Sequence, residues 1–565
     1  MENTQEYVIT LRAMDDLESF YNDMETPGGD EYIPDRAVSV YRRRPISRNT
    51  HYYLTDEEAY HIRKDSRVEG VELASLIQNS ITPHYTQAGT FEKSNIVSSS
   101  YKNWALLRCT EGTQRTNWGS DGTTSQSATV QVNASGKNVD VIIVDGHINP
   151  NHPEYAKNID GTGGSRVNQF NWYTLNSIAS SLDDDAAALL SGAYTYPTNF
   201  NDGNTSRTDD NNHGAHVAGT VAGNTQGWAR DATIYNISPY STNANVLSSL
   251  IMWDYIRAFH KSKSINPETG RKNPTICNCS YGSSVKFPST LAADGYDAGS
   301  ITVASYRGVV TSNVGAAMTS AQLTAAGIYN VAGVATVPYY STAIAADVQQ
   351  AMNDGIIIIG SAGNDSYLID VVGGLDYDNA FNATYSGTGP YLWYTHRGST
   401  PGSVPGAICV GAVGITKNEA KASFSQTGPR IDIFAPGYYI TSSLNTNSGV
   451  TVGDSRNSYY RLTKYSGTSM ASPQVCGVIA TALETYPSMT ATAVSSYIKS
   501  YAKTGQMTDT GGGTSDVYSL QGASNRYLFL YKERPDTGAV YPKINYKPRP
   551  SAGVAYPRPR IRRTL

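Results

Sequence analysis

Four short segments of this chain carry residue types that could act together on a carbonyl group. An apolar run ends in Val144-Asp145-Gly146-His147. It is followed by Asn212-His213-Gly214-Ala215-His216-Val217-Ala218-Gly219-Thr220, by Ser361-Ala362-Gly363-Asn364, and by Gly467-Thr468-Ser469-Met470-Ala471-Ser472-Pro473. Each has an ordinary explanation when taken alone. An aspartate at a strand end caps a turn, a serine ahead of a helix is an N-cap, and an asparagine after glycine is a turn residue. His213 and His216 have metal-ligand chemistry but lack the HExxH arrangement. Together the four segments supply an acid, a base, an amide donor and a nucleophile. That conjunction argues against four unrelated roles.

The chemistry needs all four. A serine hydroxyl is a weak nucleophile at neutral pH unless a base takes its proton during attack. His213 is the expected base and Asp145 the group that fixes its tautomer and stabilises the imidazolium. The tetrahedral oxyanion needs donors, for which the Asn364 amide and the Ser469 backbone N–H are candidates. A serine at a helix start adds the positive end of the helix dipole.

The elements that must hold these groups are legible as patterns. From Asn138 onward, apolar strands alternate with helix-like stretches, which predicts an α/β fold with a mainly parallel sheet. Val139–Val144, Ala232–Ile237, Thr275–Cys279, Gly355–Ile359 and Ala407–Val413 read as its strands. Helices are expected from about Ser469 and from about Thr490, the second ended by Gly505. Residues 1–73 read as a separate α+β unit of order β-α-β-β-α-β, the ferredoxin-like order. Its parts are a strand at Tyr7–Leu11, a helix with Met14, Leu17, Tyr21 and Met24 on one face, strands near 37–41 and 49–54, a capping box at Thr55 and Glu58, and a strand at Val68–Leu73. Residues 74–135 are polar and weakly periodic and read as linker or surface wrap, with a processing site expected within 74–100. The segment 531–565 holds nine Lys/Arg, two Asp/Glu and six prolines, and reads as an extended basic tail without a core.

With these strings in hand, the chain resembles the subtilisin-like serine proteases, the subtilase family. The resemblance covers roughly 100–530, and its strongest carriers are His213-Gly-Ala-His-Val-Ala-Gly-Thr and Gly467-Thr-Ser-Met-Ala-Ser-Pro. Ser280-Tyr281-Gly282, Ser423-Phe424-Ser425 and Ala435-Pro436-Gly437 support it. It implies a serine endopeptidase acting on polypeptides. It also implies that Ser280, Tyr281 and Gly282, with Ser361, Ala362 and Gly363, line the substrate pocket, and that residues 1–73 resemble the family's inhibitory propeptide. Gly146-His147 departs from the Ser/Thr-Gly usual after the aspartate, and Ala215 replaces a common Thr. The gaps between the four positions (68, 151 and 105 residues) exceed those of compact subtilisins, so insertions are expected, the longest within 283–350.

Composition bounds the alternatives. With 44 Lys+Arg against 48 Asp+Glu, the net charge of −4 excludes whole-molecule electrostatic capture of nucleic acid or anionic membrane. The five cysteines form neither a disulfide framework nor a metal knuckle, and read as buried thiols. No cofactor is required for the chemistry. Calcium is common in the family, but Asp183-Asp184-Asp185 and the acids of 365–378 lack EF-hand spacing, so no metal site is assigned. No membrane span and no Sec-type signal peptide are recognisable, which leaves the compartment open, a virion or a non-Sec secretion route included. The expected partners are polypeptide substrates, the chain's own first unit as inhibitor, and an acidic partner for the basic tail. The competing reading is a catalytically silent structural or virion-associated protein on the same scaffold.

Overall fold

The computed structural model describes residues 4–28, 40–44, 46–74, 82–83, 86–87, 100–101, 104–111, 128–129, 134–168, 212–238, 249–287, 299–313, 316–331, 334–385, 388–415, 419–445, 452–513 and 516–530. The chain divides into two units, Met1–Tyr531 and Lys532–Leu565. The basic tail and Asp183–Asp185 lie outside the described residues.

A nine-stranded sheet organises the first unit. Its spatial order is Val167–Asn168, Thr233–Ile237, Asp140–Val144, Thr275–Cys279, Ile357–Ser361, Ile408–Val413, Ile433–Pro436, Arg526–Tyr527 and Lys503–Thr504. All neighbours are parallel except the last pair. The fold class is therefore α/β. The continuous apolar runs follow from burial on both faces, and the period of two assigns each side chain to a face. Val141 and Ile143 join one core cluster with Val217 and Val221 of the helix Asn212–Ala222 and Val475 and Ile479 of the helix Thr468–Thr485. Ile142 and Val144 join a second cluster with the helices Ser249–Ser262 and Thr342–Asn353.

The N-terminal unit is a four-stranded antiparallel sheet, in the order Val40–Arg42, Asn49–Leu54, Gln5–Leu11, Val68–Leu73. The helices Leu17–Glu25 and Asp56–Ile62 complete it. The capping box at Thr55 and Glu58 is present in both directions. Met14 departs from expectation: it lies in a short 3₁₀ turn ahead of the helix and is exposed, while Phe20 fills the buried face. The expected strand near 37–41 spans Val40–Arg42, and 37–39 lie outside the described residues.

This unit docks on the helices of the second sheet face through buried polar groups. Arg44 Nε and Nη2 donate to Asp254 at 3.0 and 2.8 Å, and Nη2 also reaches Asp347 at 2.9 Å. Glu72 accepts from the Ala343 N–H and the Tyr339 hydroxyl, each at 2.7 Å, at the start of the helix Thr342–Asn353.

Three expectations require correction. The segment 74–135 is not all surface wrap: Trp104–Glu111 is a helix with Trp104 and Cys109 in the main core and Arg108 paired with Glu419. Eight residues are too few for a clear period. The second C-terminal helix ends at Tyr501, not at Gly505, because residues 503–504 leave it to pair with Arg526–Tyr527. The insertion expected within 283–350 recruits 380–394 as well. The strands Ser284–Phe287 and Val334–Pro338 pair in one small sheet, and Val303–Tyr306 pairs with Ala380–Tyr385 in another, around a shared core of Phe287, Phe381 and Trp393. All five cysteines are free and buried.

Candidate functional site

Asp145 stands where the strand Asp140–Val144 ends. Its N–H donates to Ile237 O at 3.2 Å, which prolongs the parallel ladder, and the Gly146 N–H donates to Asp145 Oδ1 at 2.7 Å. Asn236 holds the turn by donating to Ile143 O and Gly146 O at 3.2 and 3.1 Å. The helix Asn212–Ala222 begins directly against this turn. A Cβ on Gly214 would lie 2.1 Å from Gly146 O, so glycine is needed there.

That approach delivers His213. Its Nδ1 lies 2.7 Å from Asp145 Oδ1 and 2.9 Å from Oδ2, with both side chains buried. An ionised carboxylate only accepts hydrogen bonds, so Nδ1 carries the proton and Nε2 is the basic nitrogen. His216 has a different occupation. Its Nε2 faces Ile440 O at 2.8 Å and its ring stacks on Tyr465, and burial first and His213 second push its pKa down to about 3.

Ser469 is the second residue of the helix Thr468–Thr485, so its N–H is among the first four, which have no intrahelical acceptor. Its Oγ donates to Ser280 O at 2.9 Å, and Ser280 Oγ returns a bond to Ser469 O at 2.9 Å. Ser472 and Asn278 complete the cluster around the Ser280 hydroxyl. The strand Thr275–Cys279, which carries this corner, is the direct neighbour of the strand that carries Asp145.

Asn364 follows the strand Ile357–Ser361. Its Oδ1 accepts from the N–H and the hydroxyl of Thr468, both at 2.9 Å, and the Gly363 N–H donates to that hydroxyl at 3.1 Å. Anchoring the oxygen leaves the NH₂ end as the available donor, beside the serine. Gly363 has φ +112°, and a Cβ there would meet Gln426. The next residue, Asp365, is pushed up to about 6 by burial, against the pull of Lys286. Thr468 is a positioning residue that the motif contained without disclosing its partner.

The remaining predicted residues fall on both sides of this corner. Tyr281 and Gly282 form a short strand paired antiparallel with Thr82–Pro83. The Tyr281 side chain packs into the core, so only its backbone borders that edge. Ser361 and Ala362 are buried at the end of the sheet, with Ala362 N–H bonded to Val410 O. Among the acids of 365–378, Asp376 is held by Arg307 and Asn379, Asp378 by Arg397, and Asp370 by backbone N–H groups. These carboxylates are occupied by protein donors, and the described residues contain no group of three His, Cys, Asp or Glu placed to hold a metal ion. No described helix is long and apolar enough to cross a membrane.

Comparison with known proteins identifies a family and several relatives. A family model described as the subtilase family (Peptidase S8) matches residues 136–523. The extracellular serine proteinase of Thermus sp. (strain Rt41A) is 26% identical over 299 residues, 53% of this chain and 47% of that protein. Alkaline serine exoprotease A of Vibrio alginolyticus is 24% identical over 372 residues, 65% of this chain and 48% of that protein. The chain thus spans about half the length of these relatives. A solved structure of a cold adapted subtilisin-like serine proteinase aligns over 76% of this chain and 98% of its own, with a TM-score of 0.41 and 20% identity.

Proposed function

This chain belongs to the subtilase family, and we propose that it is a serine endopeptidase that hydrolyses peptide bonds with Ser469 as nucleophile. The observation that carries the proposal is His213 Nδ1 held against both oxygens of Asp145 at 2.7 and 2.9 Å, a pairing that commits Nε2 to base chemistry. In the resting geometry the Ser469 hydroxyl donates to Ser280 O. For attack it turns to His213 Nε2, which takes the proton as Oγ adds to the substrate carbonyl. The Asn364 NH₂ and the Ser469 N–H receive the oxyanion. His213 then returns the proton to the leaving amine, and water releases the acyl group by the same route. Ser280 to Gly282 present a backbone edge to an extended substrate.

Residues 1–73 act as an inhibitory prodomain, cut from the enzyme by its own active site within 74–100. Their docking on Asp254, Asp347 and the start of the helix Thr342–Asn353 supports this role. The catalysis needs no cofactor. A fluorophosphonate probe tests the reading, because it labels only an activated serine. The purified protein should be labelled on Ser469, and the Ser469→Ala protein should not. An unlabelled wild type would favour the silent scaffold.

A further inference from the structure

One of the two insertion sheets ends on an edge that no described strand covers. Its spatial order is Val309–Ser312, Val303–Tyr306, Ala380–Tyr385, Thr388–Tyr394, and the first two strands form a hairpin. The turn is Arg307-Gly308, with φ of +50° and +80°, the two left-handed residues of a type I′ turn. Arg307 is held there by two bonds to Asp376, at 2.7 and 2.8 Å, and its N–H donates to Asn379 Oδ1 at 2.7 Å. The hairpin is thus a fixed part of the fold.

Its register decides where the outer backbone groups point. A two-residue turn makes Tyr306 and Val309 a hydrogen-bonded pair, and such pairs alternate with non-bonded ones. Ala304 and Thr311 are the next bonded pair, and the Asn313 N–H, which donates to Thr302 O at 2.9 Å, continues the series. Val310 and Ser312 therefore direct their N–H and C=O groups away from the hairpin, where no described strand pairs with them. Val309 and Val310 are 66% and 65% exposed. The loop that Arg307 anchors also exposes Val371, Val372 and Leu375.

Proteins blunt such an edge with lysine, proline, a bulge or a very short strand. Other edges of this molecule follow that rule. The nine-stranded sheet ends on strands of two residues, Val167–Asn168 and Lys503–Thr504. The far edge of the insertion sheet carries Pro390, and its Tyr391 packs on the core of the N-terminal unit. Val309–Ser312 has no charge, no proline and no bulge against its partner. The neutrality extends well beyond the strand: from Gly308 to Ala346 there is no Asp, Glu, Lys, Arg or His. An edge that meets its own copy across a two-fold axis sets like residues against like, so a charge there would oppose its image. A neutral edge suits that partner, whereas a charged foreign segment would find no counter-charge on it.

We propose that Val309–Ser312 is an interface between two copies of this chain, joined edge to edge into one continuous antiparallel sheet. One register uses both outward donors of each copy. It sets Val310 of each copy opposite Ser312 of the other, with Thr311 opposite Thr311 on the axis. Thr311 then falls in a non-bonded pair, where Cα atoms stand about 4.5 Å apart, within the span of a disulfide.

The test uses the full chain carrying Ser469→Ala, which removes the nucleophile and leaves this edge untouched. Sedimentation velocity should give twice the chain mass. Val310→Lys should return it to the mass of one chain with an unchanged melting temperature. Val310→Pro should do the same, because the N–H it removes makes no bond within the hairpin. Thr311→Cys should form an intermolecular disulfide on mild oxidation, against a background of five buried native thiols. Leu392→Cys, exposed on the opposite edge strand, should not. A single-chain mass at every concentration overturns the proposal. So does a dimer that survives both Val310 substitutions, or one that crosslinks through Leu392→Cys and not through Thr311→Cys. If neither Val310 variant folds, the two cysteine variants decide alone.

Discussion

Replacing Arg44 by Met should loosen the first 74 residues from the rest of the protein, by an amount the structure allows to be worked out. Arg44 is fully buried and bridges two carboxylates, Asp254 on the helix Ser249–Ser262 and Asp347 on the helix Thr342–Asn353, which are themselves 2% and 0% exposed. Burial pushes the Asp347 pKa up, against the opposing pull of Arg44 and of the Ser47 hydroxyl. Burial thus already opposes ionisation of Asp347 in the wild type, and Arg44 is the partner that offsets this. Methionine fills much of the same volume and removes the guanidinium that bridges the two carboxylates. Breaking a buried pair from one side costs about 3–5 kcal/mol. At 1.4 kcal/mol per factor of ten, that is a rise of roughly 10²- to 10³-fold or more in the population of the undocked unit. The assay is amide hydrogen exchange of residues 7–11 in a Ser469→Ala background, where the chain stays whole. The sign with pH is also determined. The docked variant retains a proton on one carboxylate that the undocked chain releases above its ordinary pKa, so its stability falls as pH rises. The deficit should therefore be larger at pH 8 than at pH 5. Protection within twofold of wild type at pH 8, or a deficit independent of pH, would refute the account of Arg44 as the charge that holds this interface.

Ser469→Ala should lower peptide turnover by about 10⁶ while its thermal unfolding stays close to wild type, measured on a chromogenic peptide and by calorimetry. Asn364→Leu removes one oxyanion donor and should cost about 10²–10³ in kcat with little change in KM, whereas a large rise in KM at normal kcat would place Asn364 outside the oxyanion site. Burial pushes the Lys421 pKa down to about 7, against the weaker pull of Asp516. Between that value and its ordinary one the unfolded chain holds a proton that the folded chain lacks, so stability should rise with pH above about 7. Lys421→Met should flatten that rise in melting temperatures recorded from pH 7 to 10. Truncation after Tyr531 should leave peptidase activity on small substrates unchanged, as expected of a tail that begins where the first unit ends.

The local features of this protein are written in its sequence, because their causes act over a few residues. The apolar runs that became Asp140–Val144, Thr275–Cys279 and Ile408–Val413 announce strands buried on both faces. Thr55 and Glu58 announce a helix start through bonds that span three residues. The motifs around Asp145, His213, Asn364 and Ser469 name the chemistry by residue type. What the chain alone does not disclose is which distant groups meet. Asp145 and His213 are 68 residues apart. They come together because the connection from Asp140–Val144 to its parallel neighbour Thr233–Ile237 lays the helix Asn212–Ala222 on one face of the sheet, and because Gly214 lets the helix start press against Gly146 O. Arg44 and Glu72 look like surface charges in sequence, since burial of a charge leaves no period to read. Only docking reveals Asp254, Asp347 and the helix start at Ala343 as their partners. The insertion core joins Phe287 to Phe381 and Trp393 across a strand that belongs to another layer, and the segment 82–87 has no pattern that predicts pairing. A strand's partner is chosen by which edges the completed fold leaves open, and that is decided by the tertiary structure alone.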